Sequence, residues 1–462
     1  MNYEEILKEI KPTNAEREKV HKIANDAMDY INKIAKDENI PAEAFLVGSI
    51  EKDTWLSSDS DIDIFISFPL ETEEDYLKEK GLYLGYKCTE YLNIVPEESY
   101  ASHPYLKSHI EGYDIDFVPC YNIKDTKKLK SAVDRTILHT NYIKKHLSES
   151  QKDEVLLLKK FMKEVGTYGS EFKVGGFAGY LCEILILHYG TFEKTLFEAS
   201  NWTNRTIIDL ENYETSDLFE DPLIAIDPTD KNRNVGAALQ KARIVEFITS
   251  SRNFLKSEDI KRKEYFYPIQ KKTDYKRIIE QFKDRKTKIM TITFDIPNIP
   301  ADSLHPQLRK TIQSIEEKLV ANDFSVFKSD YWTDEKSIAI FIIELNVYKL
   351  NKYYIHEGPK IWDKIASKNF LASHDDSYYV LGENLVLNKK RPYQRADDFI
   401  KSNFTEKNIQ IIKVGKNLKD LLISSYELNN IKKLLKDKNL NDNSEFLDFL
   451  DDFLNPGQLL KR

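Results

Sequence analysis

Two aspartates separated by one isoleucine, Asp61-Ile62-Asp63, open an alternating run that extends to Phe68. In a strand, side chains two residues apart share a face. Both carboxylates therefore project the same way, while Ile62, Ile64 and Ile66 supply the buried face. Two carboxylates so close repel each other, and a bound cation relieves that repulsion. Magnesium takes oxygen ligands and keeps positions for water and substrate phosphates. A second pair, Asp114 and Asp116, lies in the strand pattern Tyr113 to Val118, which is expected to stop at Pro119. Spacing alone leaves open which of these two faces the first pair. Three carboxylates on neighbouring strands can hold two metal ions, one lowering the pKa of an attacking hydroxyl and the other neutralising departing pyrophosphate. Phosphoryl transfer asks for little beyond such positioning and charge neutralisation.

Upstream stands Gly48-Ser49. A glycine permits close backbone approach, and a serine hydroxyl with nearby N–H groups can hold triphosphate oxygens. A lone Asp-x-Asp on a strand is usually only a solvated face beside a buried one. The glycine-serine pair upstream and the second aspartate strand downstream reverse that reading. Asp59 falls outside the strand pattern and reads as a turn residue.

The elements that must hold these residues are an α/β or α+β opening third, preceded by two helices broken near Lys11-Pro12-Thr13-Asn14, with Thr13 or Asn14 as cap. From about Thr140 to Leu255 the pattern is mainly helical, with helices expected over Glu154 to Val165, Phe177 to Tyr189 and Val235 to Phe247. A lysine-rich connector runs from Lys256 to Lys288. Strand patterns at Ile289 to Asp295 and Ser337 to Leu345, with an amphipathic helix over Gln307 to Asn322 between them, suggest a separate βαβ-type unit. The tail reads as charged helices, with a cap-like break before Glu445.

A chain of 462 residues implies two to four domains, and 41% hydrophobic with 31% charged residues describes a globular protein. Three scattered cysteines, Cys88, Cys120 and Cys182, suggest neither a disulfide framework nor a zinc cluster. The acidic N-terminus is unlike a signal peptide, and the most apolar helix, Leu181 to Tyr189, is too short to span a bilayer and contains Glu183 and His188. A cytoplasmic protein without membrane association is expected.

The residues Val47-Gly48-Ser49, Thr54-Trp55-Leu56 and Asp61-Ile62-Asp63-Ile64-Phe65 resemble the DNA-polymerase-β nucleotidyltransferase superfamily, and within it the archaeal-type (class I) CCA-adding enzymes. Further blocks in the same order are Asp116 to Tyr121, Ala132 to Thr136, Tyr168-Gly169, Gly176 to Glu183, Asp227-Pro228 and Arg233-Asn234-Val235, with a looser likeness beyond residue 250 through Gly358-Pro359. The resemblance implies an α+β, multidomain fold: a polymerase-β-like nucleotidyltransferase head (1–145), a helical central neck (146–262), and an RRM-like or ferredoxin-like body with a tRNA-binding tail (263–462). It implies Asp61, Asp63 and Asp116 as catalytic metal ligands for two Mg²⁺ ions, with Mn²⁺ as a substitute. It implies nucleotide contacts from Gly48, Ser49, Lys52, His139, Lys159 and Tyr168, and a base-reading role for Arg233. Lys52 stands where many relatives carry arginine, so its contact is a point charge rather than a fork. Taken by themselves, His139 could cap a helix, Lys159 cover a surface, Tyr168 pack as an aromatic, and Arg233 sit in an exposed loop.

The implied reaction is ordered addition of C, C and A to the 3′ end of tRNA from CTP and ATP, and the family allows a homodimer. The formal charge of −8 places any RNA contact on local clusters. These are Lys124, Lys127, Lys128 and Lys130; Lys261 to Lys263, Lys271-Lys272, Lys276-Arg277 and Arg285 to Lys288, interleaved with Tyr265, Phe266, Tyr267 and Tyr275; and Lys389 to Arg391 with Tyr393 and Arg395. Aromatics beside basic residues can stack on bases, although each run alone is more often a solvated face. The competing readings are a poly(A) polymerase or oligonucleotide synthetase sharing the head, and a non-catalytic RNA-binding protein.

Overall fold

A computed structural model describes the chain except residues 58, 60, 101–103, 270–273 and 375–376. The chain forms two compact units, Met1–Gln270 with Gly457–Arg462, and Lys271–Pro456.

The first unit opens with a short helix, Glu4–Ile10, and continues with the helix Asn14–Asp37, started by a capping box in which Thr13 and Glu16 satisfy each other's N–H groups. Its sheet comprises β1 (Glu43–Val47), β2 (Asp61–Phe68), β3 (Glu97–Tyr100), β4 (Pro104–Ile110) and β5 (Tyr113–Tyr121), in the order β1-β2-β5-β4-β3. Ile62, Ile64 and Ile66 turn to a core shared with Val20 and Ile31 of that helix and with Leu77 and Leu84 of the helix Glu74–Tyr91. The alternation read from the sequence is thus the division between core face and carboxylate face.

Pro119 does not stop β5. The strand runs to Tyr121, with Pro119 opposite Ile66 of β2. The register with β4 ends at Phe117, so the missing N–H falls where the ladder on that side has ceased.

Helices Arg135–His146, Glu149–Glu164, Gly179–Tyr189, Phe192–Ala199 and Lys241–Lys256 follow, around a core containing Phe161, Phe177, Phe192, Phe247 and Phe254. A small sheet of β6 (Thr206–Ile208), β7 (Leu223–Asp227) and β8 (Asp230–Asn234) interrupts them. The helix expected from Val235 begins only at Lys241. The Asn234 side chain accepts from Ala225 and Gly236 N–H and donates to Leu223 O, which holds this segment against β7 instead.

In the second unit are β9 (Lys288–Asp295), β10 (Ser325–Thr333), β11 (Ile338–Val347), β12 (Tyr353–Lys360), β13 (Tyr378–Leu381), β14 (Asn384–Lys390) and β15 (Glu427–Asn430). They form two sheets, β10-β11-β9-β15 and β12-β14-β13. The expected βαβ unit is a split one. The helix Ala301–Ala321 joins β9 to β10, and β11 inserts antiparallel between them. The lysine-rich connector holds two helices, Asp259–Glu264 and Tyr275–Asp284.

Several aromatics expected to meet bases are instead core. Tyr265 and Phe266 are fully buried, Tyr275 packs against the core around Phe282, and Tyr393 lies edge-on to Phe399. Lys271-Lys272 lie outside the described residues. The three cysteines are buried and free. Among the described residues no helix is long and apolar enough to cross a membrane.

Candidate active site

Strand register sets the carboxylates. Parallel pairing of β2 with β5 puts Asp61 opposite Asp114 and Asp63 opposite Asp116. Antiparallel pairing of β1 with β2 puts Val47 opposite Asp63, so Gly48 leaves β1 directly beside that carboxylate. A Cβ on Gly48 would stand 2.0 Å from Asp63 Oδ2, and its φ of +76° is one that side-chain-bearing residues avoid. The room for the carboxylate is the absent side chain.

Asp114 and Asp116 are told apart by their surroundings. Asp114 is 68% exposed and accepts from His109 Nδ1 at 2.9 Å. Asp116 faces Lys107 across the β4 register. Burial, then Asp116 and Asp61, push the Asp63 carboxyl up to about 7. Burial, then Asp61, push Asp116 up to about 6, against the pull of Lys107. Burial, then Asp114, raise Asp61 as well.

Among the described residues no three His, Cys, Asp or Glu side chains already close around one point. The donor set nevertheless fits a divalent cation: carboxylate oxygens only, on one face, each disfavoured in its ionised form by its neighbours. Lys107 was not anticipated from the sequence; its only signal is the alternation of β4, where Leu106 and Ser108 are buried and Lys107 is not. Asp59, read as a turn residue, pairs with Lys163 at 2.6 Å.

The residues expected to touch nucleotide lie in two linked clusters of the same unit. In the first, Glu183 is wholly buried on the helix Gly179–Tyr189 and accepts from Lys52 Nζ at 2.6 Å and Thr54 Oγ1 at 2.5 Å. Lys159 Nζ donates to Thr54 O at 2.7 Å and stands 3.8 Å from the same carboxylate. Lys159 is 2% exposed, so the surface reading of that position does not hold; it occupies a core position one turn from Val155. Tyr168 OH and Lys159 Nζ both lie within 3.3 Å of where a Gly179 Cβ would be, which brings them to the start of the same helix. Ser49 follows Gly48 and accepts from Thr54 N–H through its backbone oxygen at 3.0 Å.

The second cluster centres on Asp227, buried at the end of β7. Its Oδ2 accepts from His139 Nε2 and Arg233 NH1, each at 2.8 Å. Its Oδ1 accepts from Thr229 N–H at 2.9 Å, Thr229 Oγ1 at 2.8 Å and Tyr180 OH at 3.2 Å. His139 stacks on Tyr180 at 3.9 Å, and Lys52 Nζ lies 5.9 Å from the Tyr180 ring centre, which joins the clusters. Burial alone would raise the Asp227 carboxyl, but the His139, Thr229 and Arg233 contacts hold it well below the usual carboxylate range. Burial lowers His139 despite that carboxylate.

His139 lies within the helix Arg135–His146 rather than at its end, and Arg233 is on β8, not in a loop. Tyr180, Glu183 and Asp227 went unassigned in the sequence: the first two sit in an apolar helix and the third ends an apolar run. Asp227→Ala would leave an arginine and a histidine facing a void. It should destabilise the protein by about 3–5 kcal/mol in urea denaturation; a change below about 1 kcal/mol would contradict the hub.

Fold and site together are those of a nucleotidyltransferase. Residues 28–139 match the nucleotidyltransferase domain, residues 153–267 the second domain of tRNA nucleotidyltransferases, and residues 285–430 the C-terminal domain of CCA-adding enzymes. The chain is 44% identical over 461 residues to a CCA-adding enzyme of Methanothermobacter thermautotrophicus, covering 100% of this chain and 99% of the relative. It is 37% identical to those of Methanocaldococcus jannaschii (89% and 92% covered) and Pyrococcus abyssi (79% and 83%). A solved RNA terminal U-transferase resembles it at 16% identity over 58% of this chain and 97% of that one, with a TM-score of 0.45, too weak to carry an argument. The chain belongs to the CCA-adding enzymes, a family of tRNA nucleotidyltransferases.

Proposed function

We propose that this enzyme adds C, C and A in order to the 3′ end of tRNA, from CTP and ATP and without a nucleic-acid template, and so matures and repairs that end. The observation that carries the reading is the Asp63–Asp116 register beside the void at Gly48, in a chain matching CCA-adding enzymes along its length. Asp61, Asp63 and Asp116 are the ligands. Two divalent cations held there, Mg²⁺ or Mn²⁺, supply activation of the terminal 3′-hydroxyl and neutralisation of the departing pyrophosphate. Gly48 keeps Asp63 in place. Ser49, Lys52, Lys159, Tyr168 and His139 orient the triphosphate so that its α-phosphate meets the hydroxyl in line. Arg233, held through NH1 by Asp227, offers its remaining fork to groups shared by cytosine and adenine.

In the second unit, the sheet β12-β14-β13 supplies a surface suited to RNA. Tyr353, Tyr378 and Tyr379 are 55%, 46% and 38% exposed, and Lys389 and Lys390 lie on the central strand. The Lys124 to Lys130 cluster is less suited, because it follows the carboxyl end of β5 while the carboxylates occupy the start. Lys130 is also engaged, donating to Leu70 O over the Tyr121 ring.

The test is extension of a tRNA transcript lacking its CCA end. CTP alone should add two residues, and CTP with ATP should add C, C and A and stop. A long tail from ATP alone would favour the poly(A) polymerase reading. No extension of several acceptors by folded protein would favour a binding protein.

The carboxylates also set a pH dependence. Their folded pKa values lie above the unfolded ones, so the stabilisation is complete below about pH 4 and lost as pH rises towards about 7. Without divalent cation, thermal stability should fall across that window. Mg²⁺ should therefore raise the melting temperature more at pH 7 than at pH 5, where protons compete for the ligands. Equal stabilisation at both would contradict the assigned ligands.

A further inference from the structure

Within the nucleotide cluster, two ammonium groups share one buried carboxylate. Lys52, Lys159 and Glu183 are 8%, 2% and 0% exposed. Glu183 by itself leaves one of the two ammonium charges over, and the other carboxylate that bears on Lys52 is Asp63, which the metal site claims. An uncompensated charge in such a place is costly. An anion brought by the ligand completes the balance. We propose that Glu183 is a positioning residue for the incoming nucleotide: it keeps both lysines charged and fixed before binding, yet leaves one charge for the triphosphate. This rests on the reading of Lys52 and Lys159 as triphosphate contacts.

The geometry supports a holding role. Glu183 Oε2 takes Lys52 at 2.6 Å, and Oε1 takes the Thr54 hydroxyl at 2.5 Å, while Thr54 O takes Lys159 at 2.7 Å. Thr54 thus couples the carboxylate to the second lysine, which stands 3.8 Å from Oε1. Of the other titratable groups facing the cluster, Asp63 and His139 bear on Lys52, and Asp59 and Glu171 bear on Tyr168; the thiol and phenols beside it are neutral. The Cys182 thiol is pushed up to about 12 by burial, and burial likewise raises the phenols of Tyr168 and Tyr180. Burial lowers the Lys159 pKa, and Glu183 is the largest influence opposing that shift. Glu183 stays ionised because Lys52 and Lys159 outweigh its burial.

Removal of that one negative charge changes when Lys159 is charged. In Glu183→Gln the buried site would carry two positive charges, so Lys159 would lose its proton at assay pH and regain it only as the triphosphate arrives. CTP affinity should then weaken roughly tenfold for each pH unit above the new Lys159 pKa, against a flat wild-type profile. The KM for CTP should follow, while kcat at saturating CTP stays near the wild-type value, because bound triphosphate replaces the missing charge. Calorimetry in buffers of different ionisation enthalpy should show proton uptake on CTP binding by Glu183→Gln and none by the wild type at the same pH.

A packing role alone would lower affinity equally at every pH, and that result overturns the proposal. If Glu183→Gln does not fold, two measurements still decide. Wild-type protein that takes up a proton on binding CTP, or Glu183→Asp with a steepened profile despite its retained charge, overturns the inference. Lys52→Met and Lys159→Met separate the two readings. Unchanged CTP affinity in both defeats the triphosphate assignment itself; weakened affinity beside a pH-flat Glu183→Gln defeats only the role of Glu183.

Discussion

Asp63→Ala should abolish nucleotide transfer and leave tRNA affinity nearly intact. Asp63 is the carboxylate that meets all the others: it faces Asp116 across β5, shares its strand with Asp61, and is wedged against Gly48. Loss of a ligand at a site whose whole contribution is charge neutralisation and alignment should cost on the order of a thousandfold or more in rate, about 4 kcal/mol of transition-state stabilisation. The same substitution should leave the metal-free protein as stable at neutral pH, or more so. A carboxyl raised to about 7 is one whose charge the fold disfavours, so its removal relieves repulsion. Activity lost with stability kept separates a ligand from a packing residue. Retained turnover would defeat the assignment.

Gly48→Ala should be nearly as damaging, by a different route. The added methyl carbon would lie 2.0 Å from Asp63 Oδ2, so the carboxylate must swing away or β1 must shift. The backbone at φ +76° costs a further 1–2 kcal/mol or so for any residue with a Cβ. A ligand displaced by about an ångström typically costs on the order of a hundredfold in rate. The result should be a fall in kcat of that size, with melting lowered modestly and CTP affinity less affected. A kcat within about threefold of wild type would mean that Asp63 has another productive position.

Where one physical preference dominated, the sequence was legible. Alternation marked β2 because Ile62, Ile64 and Ile66 must be buried, and the same alternation put Asp61 and Asp63 together on the other face. The helix start at Thr13 or Asn14 and the break at Asn441 to Ser444 before Glu445 were readable because each needs only its own turn; the caps themselves are Thr13 and Asn443. Illegible were features created by distant partners. Pro119 continues a strand because the β4 ladder has already ended, which no local pattern reveals. Val235 resembles a helix start until Asn234 ties its neighbours to β7.

The site divided in the same way. Its carboxylates are visible as spacing, whereas Lys159 looks like surface coverage until the wholly buried Glu183 appears beside it, from a helix that reads as core. Asp227 joins His139, 88 residues before it, to Arg233, six after. Only the fold brings those three together. Aromatic residues misled in the opposite direction: Tyr265 and Phe266 lie among basic residues in sequence yet fill the core of the first unit.

The central claim is that Asp61, Asp63 and Asp116 hold the divalent cation while Lys52 and Lys159 hold the triphosphate of the incoming nucleotide. Anomalous diffraction from crystals grown with Mn²⁺ and CTP tests it most directly. The account predicts manganese density bounded by the three carboxylates and triphosphate density against the two lysine ammoniums. Manganese elsewhere, or CTP density remote from Lys52 and Lys159 beside an intact Glu183 pairing, would contradict it.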